Sequence, residues 1–337
     1  MRIGIIGWYG HANAGDERML SCLQRLFTNH TLYMVNDLQL PSATLTELNR
    51  CDFVLFGGGG LILRGCAAYA PRFDLITAPF ACIGISVESV HAADQVLLDM
   101  LMRKSIFIHV RDTDSARIFA SSGKVISGVD LTFLYPFEVV EEVSQDRCGV
   151  NLRDWRYWTG QHGGTFDLFM RRVTARAPGL RQWYPLPKWS PDRAVSIIQE
   201  HFQQLFPLAL YVEEGARTDI QEMSPYFPTE IPPFIPEHLR ECRYLVGMRL
   251  HALIFACQMG IPFVSLSYQP KNTIFCKSVG VESLSVDPTR LNSLPGACHE
   301  MKTQYRVVRE HLLTYRESAH QTALRDARTI LQMMGCK

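Results

Sequence analysis

No two of the ten cysteines in this 337-residue chain form a C-x-x-C pair, so the spacing of a zinc knuckle or a dithiol redox couple is missing. Thiols scattered in this way read as small buried hydrophobes, kept reduced. An excess of one charge is also lacking. The 34 Lys and Arg residues against 33 Asp and Glu leave a net charge of +1, too little to collect nucleic acid or an anionic membrane over the whole molecule. Anion binding must therefore be local, and membrane contact at most peripheral. The opening lacks the longer apolar core of an export signal: it breaks at Gly7 and runs on to Asp16 and Glu17, so a cytoplasmic protein is expected. No apolar run is long and unbroken enough for a membrane span either. The stretch 250–268 holds Gln258, Gly260 and Pro262 and opens on Arg249 and His251, the pattern of a buried helix followed by a buried strand.

Apolar residues are not scarce. At 47% hydrophobic and 20% charged, the chain has the composition of a globular protein, and its length argues two domains. The first half alternates short β-branched runs with helical spacing. Arg2–Gly7 reads as a strand buried on both faces, and Met19, Leu20, Leu23, Leu26 and Phe27 recur as one face of a helix over 16–27. Segments at 31–35, 45–49, 53–56, 82–85, 94–102 and 106–110 continue the alternation. The pattern lapses in the acidic stretch 137–147, which places a boundary between domains 1–145 and 146–337. Beyond it, strands are expected at 148–152, 211–213, 244–246 and 262–266, helices at 166–175, 192–206 and 250–259, and a terminal helix over 305–334. The pattern is that of two doubly wound parallel α/β sheets, whose ligands lie beyond the carboxyl ends of the strands.

The loops after the strands hold the candidate residues. Gly7-Trp8-Tyr9-Gly10-His11-Ala12-Asn13-Ala14-Gly15-Asp16-Glu17 joins the first strand to its helix, and its glycines let backbone N–H groups face an anion or an oxygen-rich ligand at the helix start. It is neither a Walker A loop nor a Gly-x-Gly-x-x-Gly fingerprint, and a purely structural turn accounts for it equally well. Gly57–Gly60 follows the third strand, where close approach of a ligand and close approach of a neighbouring helix both call for glycine. Arg111 and Asp112 stand just past a strand, in the place of either a ligand contact or a local ion pair and helix cap, and Asp130 ends a short strand in GVDLTF. In the second half, Asn151 and Arg153 finish a strand. Arg249 and His251 follow another, and Lys271 and Asn272 follow the next. Cations at the ends of adjacent strands converge on one pocket suited to carboxylate or phosphate.

GWYGHANAGDE, the GGGG run, VRDTDSARIFASSG, GVDLTF and above all LVGMRLHALIFACQMGIPFVSLSYQPKN resemble, in this order, the polysaccharide pyruvyltransferase family. The likeness runs from about residue 3 to about residue 280. It departs from the family at Trp8, where Tyr is common, and at Gln269, where Asp is frequent. The resemblance implies a glycosyltransferase-B-like pair of Rossmann-type domains, with phosphoenolpyruvate in the cleft between them and the Arg-Leu-His motif, here Arg249, Leu250 and His251, holding it. The N-terminal domain then serves the acceptor and the C-terminal domain the donor.

Phosphoenolpyruvate carries a phosphate and a carboxylate, which Arg249 and Arg153, with Lys271, can neutralise without metal or cofactor. His251 is the candidate proton carrier, or equally a cation on the phosphate. Asp16, Glu17 and Asp112 are the acidic candidates of the first domain. Leu250, Asn272, Gly10, Asn13, Gly58, Gly59, Arg111 and Asp130 complete the expected binding residues. The acceptor is a sugar or lipid-linked glycan. A nucleotide-sugar-dependent glycosyltransferase of the same architecture is the rival enzyme, and a catalytically silent sugar-binding protein the rival of another class.

Overall fold

Short β-branched runs bounded by glycine build two parallel sheets in this chain, seen here in a computed structural model that describes all residues except Arg64, Ser89, Val90, 154–188, Arg217 and Lys337. Contacts sort the chain into two units, residues 1–136 with 316–337, and residues 137–315.

The first unit contains β1 (Arg2–Ile6), β2 (Thr31–Val35), β3 (Phe53–Ile62), β4 (Phe80–Val87), β5 (Ile108–Val110) and β6 (Val125–Ser127), all parallel, in the order β2-β1-β3-β4-β5-β6. Helices α1 (Ala14–Leu26), α2 (Ser42–Leu48), α3 (Ala70–Asp74), α4 (Gln95–Lys104) and α5 (Thr113–Phe119) connect them. Successive strand residues alternate between two cores. Ile3, Ile5, Leu55 and Ile83 pack with Met19, Leu23 and Phe27 of the α1 segment, whereas Ile6, Val54, Phe56 and Cys82 pack with Phe73, Leu97 and Leu101. That alternation is why these strands read as continuous apolar runs: each face of the sheet is covered.

The second unit contains β7 (Arg147–Asn151), β8 (Gln204–Pro207), β9 (Tyr244–Gly247), β10 (Phe263–Leu266) and β11 (Ser285–Val286), again all parallel, in the order β11-β10-β9-β7-β8. Its helices are α6 (Pro191–His201), α7 (Asp219–Met223), α8 (Pro236–Arg240), α9 (Leu250–Met259), α10 (Pro270–Val279) and α11 (Leu294–Thr303). α9 is buried on nearly every side, which accounts for its unbroken apolar sequence LHALIFACQM. In both units the second strand lies outside the first and the third lies on the first's other side. The order therefore reverses at β1/β3 and again at β7/β9, the crevices where such sheets bind ligands.

The expected boundary and the expected helical tail both differ from what the structure shows. The division falls at 136/137 rather than 145/146, because the stretch after it is tied to α9: Phe137 N donates to Gln258 Oε1 at 3.2 Å and Val140 N to the Met259 carbonyl at 3.0 Å. The last helix, α12 (Tyr305–Met333), is uninterrupted, and its final portion counts with the first unit rather than the second. Its Ala319, Ala323, Ala327 and Ile330 form a buried stripe, and Ile330 joins the core that holds Ile3, Ile5 and Leu55. Where the pattern places a helix over 192–206 and a strand at 211–213, the helix ends at His201 and Gln204–Pro207 is the edge strand, paired with β7. Short apolar runs do not distinguish the two states. Gly57–Gly60 lies inside β3 rather than after a strand. The helix expected at 166–175 lies outside the described residues. Nine cysteines are buried and Cys336 is partly so, and burial pushes the Cys82 thiol up to about 12. No helix among the described residues is long and apolar enough to cross a membrane.

The placement of α12 has a direct test. Ile330→Ala should cost roughly 2–5 kcal/mol in urea unfolding, the usual range for truncating a buried aliphatic residue, while Met333→Ala on the exposed side should stay within about 0.5 kcal/mol. Equal effects at the two positions would contradict the packing described.

Candidate functional site

In the second unit the carboxyl ends of β7 and β9 meet at the point where the strand order reverses, and Asn151, the last residue of β7, organises the junction. Its side-chain oxygen accepts from the Arg249 backbone N–H at 2.9 Å. Its amide donates to the Leu208 carbonyl at 2.8 Å and to Asp219 Oδ2 at 3.0 Å. Asp219, the first residue of α7, is fully buried and also accepts from the backbone N–H groups of Leu210 and Tyr211 at 3.0 and 3.2 Å. Arg249 caps α9 from an extended backbone conformation and forks onto this carboxylate, with Nε 2.7 Å from Oδ2 and Nη2 2.6 Å from Oδ1. The guanidinium also lies over the Tyr211 ring, 5.0 Å from its centroid.

The arginine that the sequence assigns to a ligand therefore already holds a bidentate partner of its own. With side chains only 12% and 1% exposed, the two charges compensate each other out of water, and the hydrogen bonds to Asp219 complete what a buried carboxylate requires. A further bidentate contact from Arg249 must use the Nη1–Nη2 end of the fork. Burial, reinforced by the hydroxyl's bond to Glu213 at 2.5 Å and partly offset by Arg249 and Arg153, pushes Tyr211 up to about 12, so it is a neutral hydroxyl at ordinary pH.

The other predicted residues of this unit gather around the same edge. Arg153 donates from Nη1 to the Tyr268 hydroxyl at 2.9 Å and lies over that ring at 5.1 Å, while its backbone N–H points to Met248 Sδ. Leu250 is buried at the start of α9, and His251, partly exposed, sits beside it with its ring 5.9 Å from Phe255. Lys271 is on the first turn of α10. Asn272 is buried and donates to the Met248 carbonyl at 2.7 Å, so it ties α10 to the end of β9. Gln269, where the motif departs from Asp, is the buried residue that precedes α10.

The predicted residues of the first unit fall in two places. At the β1/β3 reversal, Tyr9 swings under the sheet edge and donates to the Gly57 carbonyl at 2.5 Å. A side chain at Gly58 would bring its Cβ within 2.0 Å of the Tyr9 hydroxyl, and one at Gly59 within 3.0 Å of Asp16 Oδ1; both glycines have φ in the left-handed region. Of the two reasons for the glycine run, the close approach of the protein's own side chains is the one seen. Asn13 caps α1 by accepting from Gly15 N at 3.2 Å, and Glu17 Oε1 accepts from Gly10 N at 2.6 Å, which closes the loop. Further along the sheet edge, Arg111 pairs with Asp130 at 3.0 Å and with the Ser86 hydroxyl, both charged side chains being 5% exposed. Asp130 also accepts from Thr132, and Asp112 caps α5 through Ser115. Arg111 and Asp130 thus form an ion pair, and Asp112 is a helix cap.

Sequence reasoning missed Asp219, Tyr211 and Tyr268. The only local signal for Asp219 was the Thr218…Gln221 capping box, which marks a helix start and says nothing of an arginine 30 residues further on. Among the described residues, no three His, Cys, Asp or Glu side chains form a group that could hold a metal ion.

A family model described as polysaccharide pyruvyl transferase matches residues 13–270, a span that ends one residue before Lys271 and contains Asn151, Asp219, Arg249 and His251. No curated protein matches the chain in sequence. Solved structures do match in fold. A co-structure of S. aureus MnaA with UDP is 10% identical, with 100% of this chain and 97% of that one covered and a TM-score of 0.61. A UDP-GlcNAc 2-epimerase from Neisseria meningitidis bound to UDP-GlcNAc is 12% identical, with 98% and 100% covered and a TM-score of 0.53. Anabaena Alr3699/HepE in complex with UDP is 9% identical, with 99% and 100% covered, also at 0.53. At such identities the likeness is one of fold, the glycosyltransferase-B-like kind.

The buried pair sets an expectation for stability. Asp219→Ala strands a largely buried guanidinium and two backbone N–H groups, and should cost about 3–5 kcal/mol in urea unfolding. Asp219→Asn, which keeps an acceptor in place, should cost distinctly less. A near-neutral Asp219→Ala would contradict the network.

Proposed function

The chain belongs to the polysaccharide pyruvyl transferase family, and from that premise we propose that it transfers pyruvate from phosphoenolpyruvate to two hydroxyls of a glycan sugar, forming a ketal and releasing phosphate. The observation that supports this reading best is the gathering of Arg153, Arg249, His251 and Lys271 at the carboxyl ends of β7, β9 and β10. Two anionic groups on one small donor need cations set close together in a site of low dielectric, and this edge supplies them.

In the first step the donor's methylene carbon takes up a proton and becomes a methyl group, and a sugar hydroxyl adds to the neighbouring carbon while losing its own proton. In the second, the bond from that carbon to the phosphate oxygen breaks, phosphate departs, and a second hydroxyl closes the ketal. One hydroxyl proton is thereby balanced by the methyl group and the other leaves with phosphate. His251, at the first turn of α9, is the proton carrier in this scheme. Arg249, held by Asp219, presents a fixed cation to the donor, with Arg153 and Lys271 beside it. The second unit serves the donor and the first the acceptor. These side chains supply the positive charge, so no metal or cofactor is invoked, and the protein works in the cytoplasm on a soluble or lipid-linked glycan. The fold shared with UDP-bound proteins keeps a nucleotide-sugar glycosyltransferase as the second reading.

Millimolar phosphoenolpyruvate should raise the melting temperature, and UDP-GlcNAc should do so less. A shift with UDP-GlcNAc alone would favour the glycosyltransferase. Arg249→Ala should weaken phosphoenolpyruvate binding by roughly 2–5 kcal/mol and also lower the unliganded melting temperature, because Asp219 loses its partner. His251→Ala should leave donor affinity nearly unchanged while turnover falls by about 10²–10⁴. If calorimetry shows His251→Ala losing the donor as fully as Arg249→Ala, the histidine is a phosphate ligand and not the proton carrier.

A further inference from the structure

Among the described residues Trp8 is the one exposed Phe, Tyr or Trp side chain, 39% exposed between buried Gly7 and buried Tyr9. It stands two residues beyond β1, at the β1/β3 reversal of the first unit, where open α/β sheets bind their ligands. The ring is held in place. It stacks on His11 with centroids 3.7 Å apart and planes 8° from parallel. The loop that carries both rings is braced on three sides, by Gly7 N on the Val35 carbonyl at 3.0 Å, by Tyr9 on Gly57, and by Gly10 N on Glu17. Ala12, a residue with a Cβ, is held at φ +50° to complete the turn. Backbone strain of this kind persists where the surroundings enforce it.

A ring stacked flat on its neighbour and exposed on a braced loop, at the reversal of strand order, offers a ligand a preformed apolar face. We propose that the exposed indole of Trp8, backed by His11, is a platform on which a pyranose ring of the acceptor glycan stacks. The inference rests on the reading of the first unit as the acceptor side, and family membership supplies the class of ligand, a glycan. A pyranose presents one face of C–H groups with slight positive charge, and the indole face is negative, so the two attract beyond mere area. Trp has few rotatable bonds, and the His11 stack has already fixed them, so little freedom is lost when the sugar lands. Gly10 and Ala12, exposed on the same loop, are small and add little bulk beside it.

The test uses the full chain with lactose, N-acetyllactosamine, cellobiose and chitobiose as probes, and UDP as the contrast. At least one disaccharide should shift the tryptophan emission of the wild type, and the shift should be absent in Trp8→Phe, which removes that fluorophore. Saturation-transfer NMR with the same sugar should show Trp8→Phe still binding and Trp8→Ala weakened at least about tenfold. Phosphoenolpyruvate should raise the melting temperature of wild type and Trp8→Ala equally, and the unliganded melting temperatures should agree. The platform is wrong if no probe sugar changes the Trp8 emission, if Trp8→Ala binds sugar as well as wild type does, or if UDP alone produces the shift. Failure of phosphoenolpyruvate to bind the wild type, with the sugar result intact, would instead overturn the donor assignment and leave the platform standing.

Discussion

The fork between Arg249 and Asp219, completed by Asn151, is the interaction on which the site in the second unit depends. It joins three stretches far apart in sequence: the end of β7, the start of α7 and the residue that caps α9. A guanidinium left alone at that edge would be mobile and partly solvated. Held by a fully buried carboxylate that itself accepts two backbone N–H bonds, it becomes a fixed charge whose direction is set before any ligand arrives. Asp219 takes up one edge of the fork and so fixes the direction of the guanidinium. Arg153 has a similar tether in the Tyr268 hydroxyl, and Asn272 draws α10 toward the same strand end.

The two units repeat one topology with different chemistry. Each sheet reverses its strand order between its first and third strands, and each places its polar side chains there. In the second unit the reversal carries cations. In the first it carries a glycine run packed under Tyr9 and Asp16, with a loop that turns outward at Trp8. Arg111 and Asp130, further along the first sheet, compensate each other and hold the edge together.

The architecture was legible because it rests on local patterns. Runs such as RIGII and the buried α9 announce strands and helices covered on all sides, and glycines mark the reversals. The legible part of the site was likewise local: Arg249, His251 and Lys271 each follow an apolar strand. What escaped was every pairing at long range. Asp219 lies 30 residues from Arg249 and 68 from Asn151, in a segment whose only mark is a helix cap, and no spacing rule connects them. The same blindness misassigned the end of α12, whose alanine stripe fits any apolar surface and declares no destination until the fold shows it against the first unit. It also hid β8, an edge strand of only four residues that begins three positions after the end of α6.

The donor cations, the proton carrier and the acceptor platform amount to a claim about one carbon: the methylene of phosphoenolpyruvate ends as the methyl of a ketal. The most direct measurement is the reaction run in D₂O with phosphoenolpyruvate and a glycan that the protein binds, followed by proton and phosphorus NMR. The account predicts inorganic phosphate appearing in step with a product methyl that carries one deuterium, bonded to a carbon with two sugar oxygens. Retained vinylic protons in an enolpyruvyl ether, or a glycosidic product formed only when a nucleotide sugar is added, would contradict it.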